Sequence, residues 1–206
     1  GSVCIAGTDL LALPEHSLAG LRGRTVSYIA QSAAAAFNPS RRLMDQVTEG
    51  VLMRRLMSRT AAEEKATALF ASLALPDPAR IGQRYPHQVS GGQLQRLMAA
   101  MALMTDPDLV VLDEPTTALD VTTQVEVLRA FRQAVRGRDS AAVYVSHDLA
   151  VVGYLAHDVA VMYLGRIVEQ GRAGAVLRTP RHPYTQALVS AVPRIEPHTG
   201  QTIVRL

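Results

Sequence analysis

Two small groups of residues in this chain have the types and spacing to do chemistry on a phosphate. The first is Ser90-Gly91-Gly92-Gln93, which opens an apolar helical stretch. Ser90 with Gln93 three positions on has capping-box spacing, and the two glycines let backbone N–H groups converge where the helix dipole favours an anion. The second is Asp113-Glu114, at the end of the apolar run Leu109–Leu112. Adjacent carboxylates at a strand end can divide the work, one holding Mg²⁺ and the other orienting or deprotonating a water beside a phosphoryl group. Alone, an Asp-Glu pair is as well explained as a solvated strand end. The upstream Ser-Gly-Gly-Gln and the downstream Pro115-Thr116-Thr117-Ala118-Leu119-Asp120 favour the chemical reading.

Two further residues can address the same crevice. Ser146-His147-Asp148 follows the apolar run Ala141–Val145, so His147 stands at a strand end on the same edge as Asp113 and Glu114, within reach of a phosphate oxygen. Gln31 ends the run Thr25–Ala30 just before the small-residue stretch Ser32–Ala36 and the turn former Asn38-Pro39. It is either an ordinary polar terminator or a movable link whose amide senses a metal or phosphate. His157 has no such convergence and reads as structural.

These residues need a scaffold of alternating strands and helices. Val3–Ala6 reads as a short strand, Gly7–Asp9 as a turn and Pro14–Leu21 as a brief helix. Residues 43–75 read as helical: a stripe of Leu43, Val47, Val51 and Leu52 extended by Leu56 and Met57, then a second helix capped by Thr60 with Glu63 and turning Ala66, Leu69, Phe70 and Leu73 inward. The helix from Ser90 runs to Pro107. The unbroken apolar runs Leu109–Leu112 and Ala141–Val145 suit strands covered on both faces. Asp120 caps a helix with the inward stripe Val121, Val125, Leu128 and Val135. Val159–Leu164, a Gly165-Arg166 turn and Ile167–Glu169 form a ribbon, and two short helices end the chain, the latter starting near Pro183.

Composition narrows the classes. Over 206 residues, 48% are apolar and 4% aromatic, a globular balance. The formal charge of +3, from 21 basic and 18 acidic residues without a basic stripe, argues against nucleic acid as a partner. Arg41, Arg42, Arg54 and Arg55 read as a solvated helix surface. Cys4 is the only cysteine, which excludes an internal disulfide and fits a reducing compartment. No apolar run reaches the roughly 18 residues of a membrane span, so a soluble chain seated on a membrane partner is expected. Lys65 is the only lysine and lies in a helical segment without glycine, so the phosphate loop GxxxxGK[ST] is not in this sequence.

Taken in order, these elements resemble the nucleotide-binding subunits of ABC transporters, in particular the oligopeptide/dipeptide/nickel importer branch. Val89–Gln93 matches the signature motif, with Val89 where leucine is usual. Leu109–Asp113 matches the Walker B strand, Glu114 the catalytic glutamate, Ala118–Asp120 the D-loop, Gln31 the Q-loop and His147 the H-loop. The branch is carried by Phe37-Asn38-Pro39, Tyr85–Gly92, Asp113–Gln124, Val161–Gly171 and the tail His182–Leu188.

The resemblance implies an α/β, P-loop NTPase-like (RecA-like) cassette with an inserted all-helical subdomain, beginning downstream of the Walker A region. It divides the chain into a core remnant (1–36), a helical subdomain ending in the signature motif (37–96), a core with Walker B, D-loop and H-loop (97–170) and a C-terminal extension (171–206). It further implies ATP hydrolysis with Mg²⁺, powering import at the cytoplasmic face of the membrane. The partners implied are a second nucleotide-binding subunit, two permease subunits and, indirectly, a solute-binding protein. In that scheme Ser90, Gly91 and Gly92 touch the γ-phosphate held by the other subunit and Gln93 shapes the turn. Asp113 holds Mg²⁺ through water, Glu114 polarises the attacking water and His147 binds the γ-phosphate. Asp120 crosses the dimer contact, and Gln31 couples Mg²⁺ to the helical insert, whose stretch near Phe37–Val47 receives the membrane subunit. Two other readings stand beside it: a non-catalytic binding or assembly piece complemented by another chain, and a soluble cassette acting on DNA or ribosomes, which the lack of long coiled coils disfavours.

Overall fold

The computed structural model describes residues 2–5, 7–116, 119–136 and 140–192. The expected strand end at Ala6, the D-loop's Ala118 and the chain beyond Val192 lie outside the described residues. The polypeptide forms two compact units, Gly1–Val145 and Ser146–Leu206.

The first unit opens with β1 (Cys4–Ile5) paired antiparallel to β2 (Thr8–Asp9), so part of the expected turn is a strand. Helix α1 (Glu15–Leu21) follows Pro14, whose fixed φ suits a helix start. Then come β3 (Val26–Ile29), the single turn α2 (Ala33–Ala36), and the helices α3 (Leu43–Met53), α4 (Arg59–Ser72) and α5 (Pro78–Ile81). Helix α6 (Gly91–Leu103) leads to β4 (Leu109–Asp113), α7 (Val121–Arg136) and β5 (Ala141–Val145). The strands form one parallel sheet in the order β3-β4-β5, with Ile29 opposite Leu112 and Asp113 opposite Val145.

The core lies between α3, α4, α6 and one face of this sheet. Leu43, Val47, Val51, Leu69, Phe70, Leu97, Leu103 and Val110 are fully buried in it, each such side chain contributing about 1.5–3 kcal/mol. The inward stripe read for α4 is borne out. Its cap is not: the Ser58 hydroxyl accepts the Ala61 N–H (3.3 Å), placing Thr60 inside the helix. Helix α3 ends at Met53, where Arg55 turns left-handed (φ 55°), so Leu56 does not extend the stripe and is 44% exposed.

Two further expectations fail in part on packing. Among the described side chains of α7 the buried ones are Val127, Leu128, Ala130, Phe131 and Ala134, with Val135 packed half-buried against the core. Leu128 and Val135 of the expected stripe thus face inward, while the side chain of Val121 lies outside the described residues. Val125, about 160° round the helix from Val127, is exposed. The second concerns the sheet. Residues of β4 alternate between buried and half-buried, and Tyr28 (59%), Val143 (49%) and Val145 (47%) are exposed. Among the described residues of the first unit, the helices pack on the side of Ile29, Val110 and Leu112.

In the second unit, α8 (Leu149–Leu155) precedes the antiparallel ribbon β6 (Asp158–Tyr163) and β7 (Arg166–Arg172), bulged at Val161/Met162. The turn is Leu164-Gly165, with both residues at positive φ (47° and 76°) as a tight hairpin demands, and Arg166 belongs to the strand. Helices α9 (Ala173–Arg178) and α10 (Pro183–Ser190) pack on the ribbon through Ala173, Val176, Tyr184 and Leu188. No helix among the described residues is long and apolar enough to cross a membrane.

Candidate functional site

Parallel pairing of β3, β4 and β5 brings three strand ends to one edge of the sheet, and that edge carries the acidic pair. Asp113 closes β4, and Glu114 follows in a left-handed conformation (φ 44°), its N–H donating to Val145 O at 3.0 Å. A glutamate seldom adopts this backbone, because its Cβ crowds the carbonyl that follows. The turn carries the chain off the sheet immediately after Asp113, so the two adjacent carboxylates do not share one strand face.

Each carboxylate meets a residue from β3 or its end. The Gln31 amide Nε2 donates to Glu114 Oε2 at 3.3 Å. Tyr28 Oη donates to Asp113 Oδ2 at 2.8 Å. Tyr28 was missed in the sequence, where it is one residue of an apolar strand, although its place three residues before Gln31 puts it on the face of Asp113 once the register is known. The hydrogen bond to Asp113 holds the Tyr28 phenol above its ordinary value, assisted by desolvation and by the carboxylate charge.

The turn at the start of α6 has the expected capping box: Gln93 N–H donates to Ser90 Oγ (3.3 Å) and Ser90 N–H to Gln93 Oε1 (3.0 Å). Behind it Arg96, 9% exposed, donates from Nη1 to Ala74 O (2.8 Å) and from Nε to Gly92 O (3.3 Å). Burial lowers the Arg96 pKa, and the charge of Glu126 acts in the opposite sense. Asp120 caps α7 as expected, its Oδ1 accepting the Thr123 N–H at 3.0 Å. Gly91 lies near Leu119, and Gly92 against Thr123 and Val127.

The structure therefore joins Gln31 with Glu114 and Asp113 with Tyr28, and it joins the Ser90–Gln93 turn with Leu119, Asp120 and Thr123. His147 is an exposed residue of the second unit, between Ser146, whose hydroxyl accepts the Asp148 N–H (3.0 Å), and Asp148, which caps Val151 (3.3 Å). Lys65 pairs with Asp106 on the helical surface. Of the four arginines, Arg41 pairs with Glu49 (2.8 Å), Arg42 donates to Gln83 (2.7 Å) and Arg54 to Arg22 O (2.6 Å), as a solvated surface would.

Comparison with known proteins identifies the family. The family model described as ABC transporter matches residues 1–117, and that described as the oligopeptide/dipeptide transporter C-terminal region matches residues 168–205. The dipeptide transport ATP-binding protein DppD of Bacillus subtilis is 39% identical over 95% of this chain and 58% of its own length. The oligopeptide transport ATP-binding protein OppD of Escherichia coli is 38% identical over 100% of this chain and 61% of its own. The metal-staphylopine import system ATP-binding protein CntD of Staphylococcus aureus is 40% identical over 96% of this chain and 73% of its own. The chain thus spans about three fifths of the first two relatives. A solved dimer of the ATP-binding cassette MJ0796, in a post-hydrolysis state bound to ADP and Pi, has the same fold, with a TM-score of 0.71 at 23% identity over 84% of this chain and 73% of that one. With the ABC transporter model matching more than half of the chain, the chain belongs to the ABC transporter family and carries the fold of its ATP-binding cassettes.

Proposed function

We propose that this chain is the signature- and Walker B-bearing part of an ATP-binding subunit that hydrolyses ATP to power import of oligopeptides, dipeptides or a related small solute. The observation that carries it is the convergence of Gln31 on Glu114 beside Asp113, at the carboxyl edge of a parallel sheet. The relatives' names support the transport role, and the match at residues 168–205 supports the peptide branch.

The donors fit Mg²⁺ with ATP in part. Asp113 and the Gln31 amide are oxygen ligands of the kind a hard cation takes. An ion held by so few protein ligands would be completed by phosphate and water. When bound, Mg²⁺ would neutralise charge on the β- and γ-phosphates. Glu114 would orient water, His147 would meet the γ-phosphate, and Ser90, Gly91, Gly92 and Gln93 would offer their helix end to a nucleotide held by a second subunit, beside Asp120. Lys65, the one lysine in the sequence, pairs with Asp106 and would not serve the phosphates. The helical subdomain (37–96) between core segments (1–36 and 97–170) would receive a permease pair at the cytoplasmic membrane face, fed by a solute-binding protein. The extension (171–206) coincides, through residue 205, with the match described as the oligopeptide/dipeptide transporter C-terminal region.

The test uses the full-length protein. Glu114→Gln keeps size and removes charge, so a closed ATP-loaded dimer should accumulate; Ser90→Arg puts a bulky cation at the contact, so ATP should bind without dimerisation. Size-exclusion chromatography with Mg-ATP separates the two. A monomeric, nucleotide-bound Glu114→Gln, or a Ser90→Arg that dimerises like the parent, refutes these roles. If the full-length protein neither binds nor hydrolyses ATP, the non-catalytic assembly role takes its place.

A further inference from the structure

We infer that Thr123 is a positioning residue that locks the signature turn to Asp120, so that the start of α6 and the start of α7 reach a partner's nucleotide as one piece; this rests on the function proposed above. Gly92 is buried in the first turn of α6. Its backbone is ordinary helix, so φ does not require glycine there. What requires it is Thr123: a Cβ on Gly92 would fall well inside contact with Thr123 Cγ2, backed by Thr123 Cβ (3.8 Å) and Val127 Cγ2 (3.9 Å). Gly91 differs, since a Cβ there would meet Leu119 Cδ2 at an ordinary 3.6 Å.

Thr123 cannot move aside. Its N–H donates to Asp120 Oδ1 (3.0 Å) and its Oγ1 to Asp120 Oδ2 (2.6 Å), so both oxygens of the aspartate hold it. A β-branched side chain has one rotor, and with the hydroxyl fixed on Asp120 the methyl is fixed against Gly92. Valine at 123 would keep a methyl there and free Asp120 Oδ2, leaving the backbone bond to Oδ1; serine would keep the hydroxyl and vacate the space. The two contacts can therefore be separated by substitution.

The experiment is a double-mutant cycle in the full-length protein, reading thermal unfolding without nucleotide and the Mg-ATP-dependent dimer. Gly92→Ala should unfold at lower temperature and form roughly tenfold less dimer, as expected for overpacking. Against a Thr123→Ser background, Gly92→Ala should leave the unfolding temperature within about 1 °C and cost the dimer no more than about twofold, because the obstructing methyl is gone. Thr123→Val should unfold close to the parent temperature yet lose dimer several-fold, at unchanged ATP binding by the monomer. The proposal is overturned if Thr123→Ser leaves Gly92→Ala as defective as before in either readout, or if Thr123→Val dimerises like the parent. Should the parent show no ATP-dependent dimer, the functional reading fails, and the unfolding cycle alone decides whether Thr123 is what excludes a side chain at 92.

Discussion

Replacing Arg96 with methionine should lower the stability of the first unit by about 2 kcal/mol, and the size of that effect follows from which carbonyl is left unpaired. The guanidinium makes two bonds, but they are unequal. Gly92 O, 3.3 Å from Nε, sits in the helix ladder and keeps its intrahelical partner when the side chain goes. Ala74 O, 2.8 Å from Nη1, lies at the left-handed corner (φ 51°) that ends α4, and a charge-assisted bond to a carbonyl is typically about 1.5–3 kcal/mol. Methionine keeps the apolar stem, so packing loss is minor, and removal of a costly buried charge returns part of the stability. For a unit of this size, 2 kcal/mol corresponds to a fall of about 4–8 °C in Tm, measured by far-UV circular dichroism. Amide exchange should rise most at Leu75, whose N–H bonds Phe70 O (2.9 Å) across the same corner. A Tm within about 1 °C of the parent would show that desolvation of the guanidinium cancels its bond to Ala74, and the anchoring role would be abandoned.

The 206-residue chain by itself should show no steady ATP hydrolysis above a Glu114→Ala control, because it has no phosphate lysine; turnover abolished in that control would refute this. Asp113→Asn should bring the Tyr28 phenol back down toward its ordinary value of 10.0, seen by ultraviolet titration, since the anionic acceptor that stabilises the protonated phenol is gone; an unmoved transition refutes the Tyr28–Asp113 bond. The Glu169 carboxyl, held below its ordinary value of 4.5 chiefly by the backbone N–H groups of Arg181 and then His182, contributes stability above that pH and loses it as pH falls through its lowered folded value. Protection of the Arg181 and His182 amides, taken relative to the intrinsic exchange rate at each pH, should therefore fall on acidification, and Glu169→Gln should remove that pH dependence.

Most of what was legible in the sequence is decided locally, although the cap of α4, equally local, falls at Ser58 rather than Thr60. The Ser90–Gln93 capping box, the Asp120 cap and the α4 stripe each depend on residues three or four apart, and each is present. The strand ends carrying Asp113 and Glu114 were legible for the same reason. Long-range matters were not. The pairing of Tyr28 with Asp113 depends on strand register, which an apolar run does not encode, and the exposure of Tyr28, Val143 and Val145 depends on which elements reach the sheet. Gly92 looked like a residue needed for anion approach, and its contact with Thr123 is invisible without α7 in place. Val125 was misread because an apolar residue at a plausible interval was given the weight that Phe131 carries.

The left-handed backbone at Glu114 bears on how this subunit tolerates mutation. A side chain in that region costs about 1–2 kcal/mol, and glycine there would regain it while returning roughly 0.4–1 kcal/mol through its freer unfolded chain. Loss of the carboxylate by Glu114→Gly is thus close to neutral for folding, and the product escapes the proteolysis that removes destabilised variants. In a cell such a variant would persist at close to the parent's abundance, so a screen that reads protein level alone would not register loss of the carboxylate.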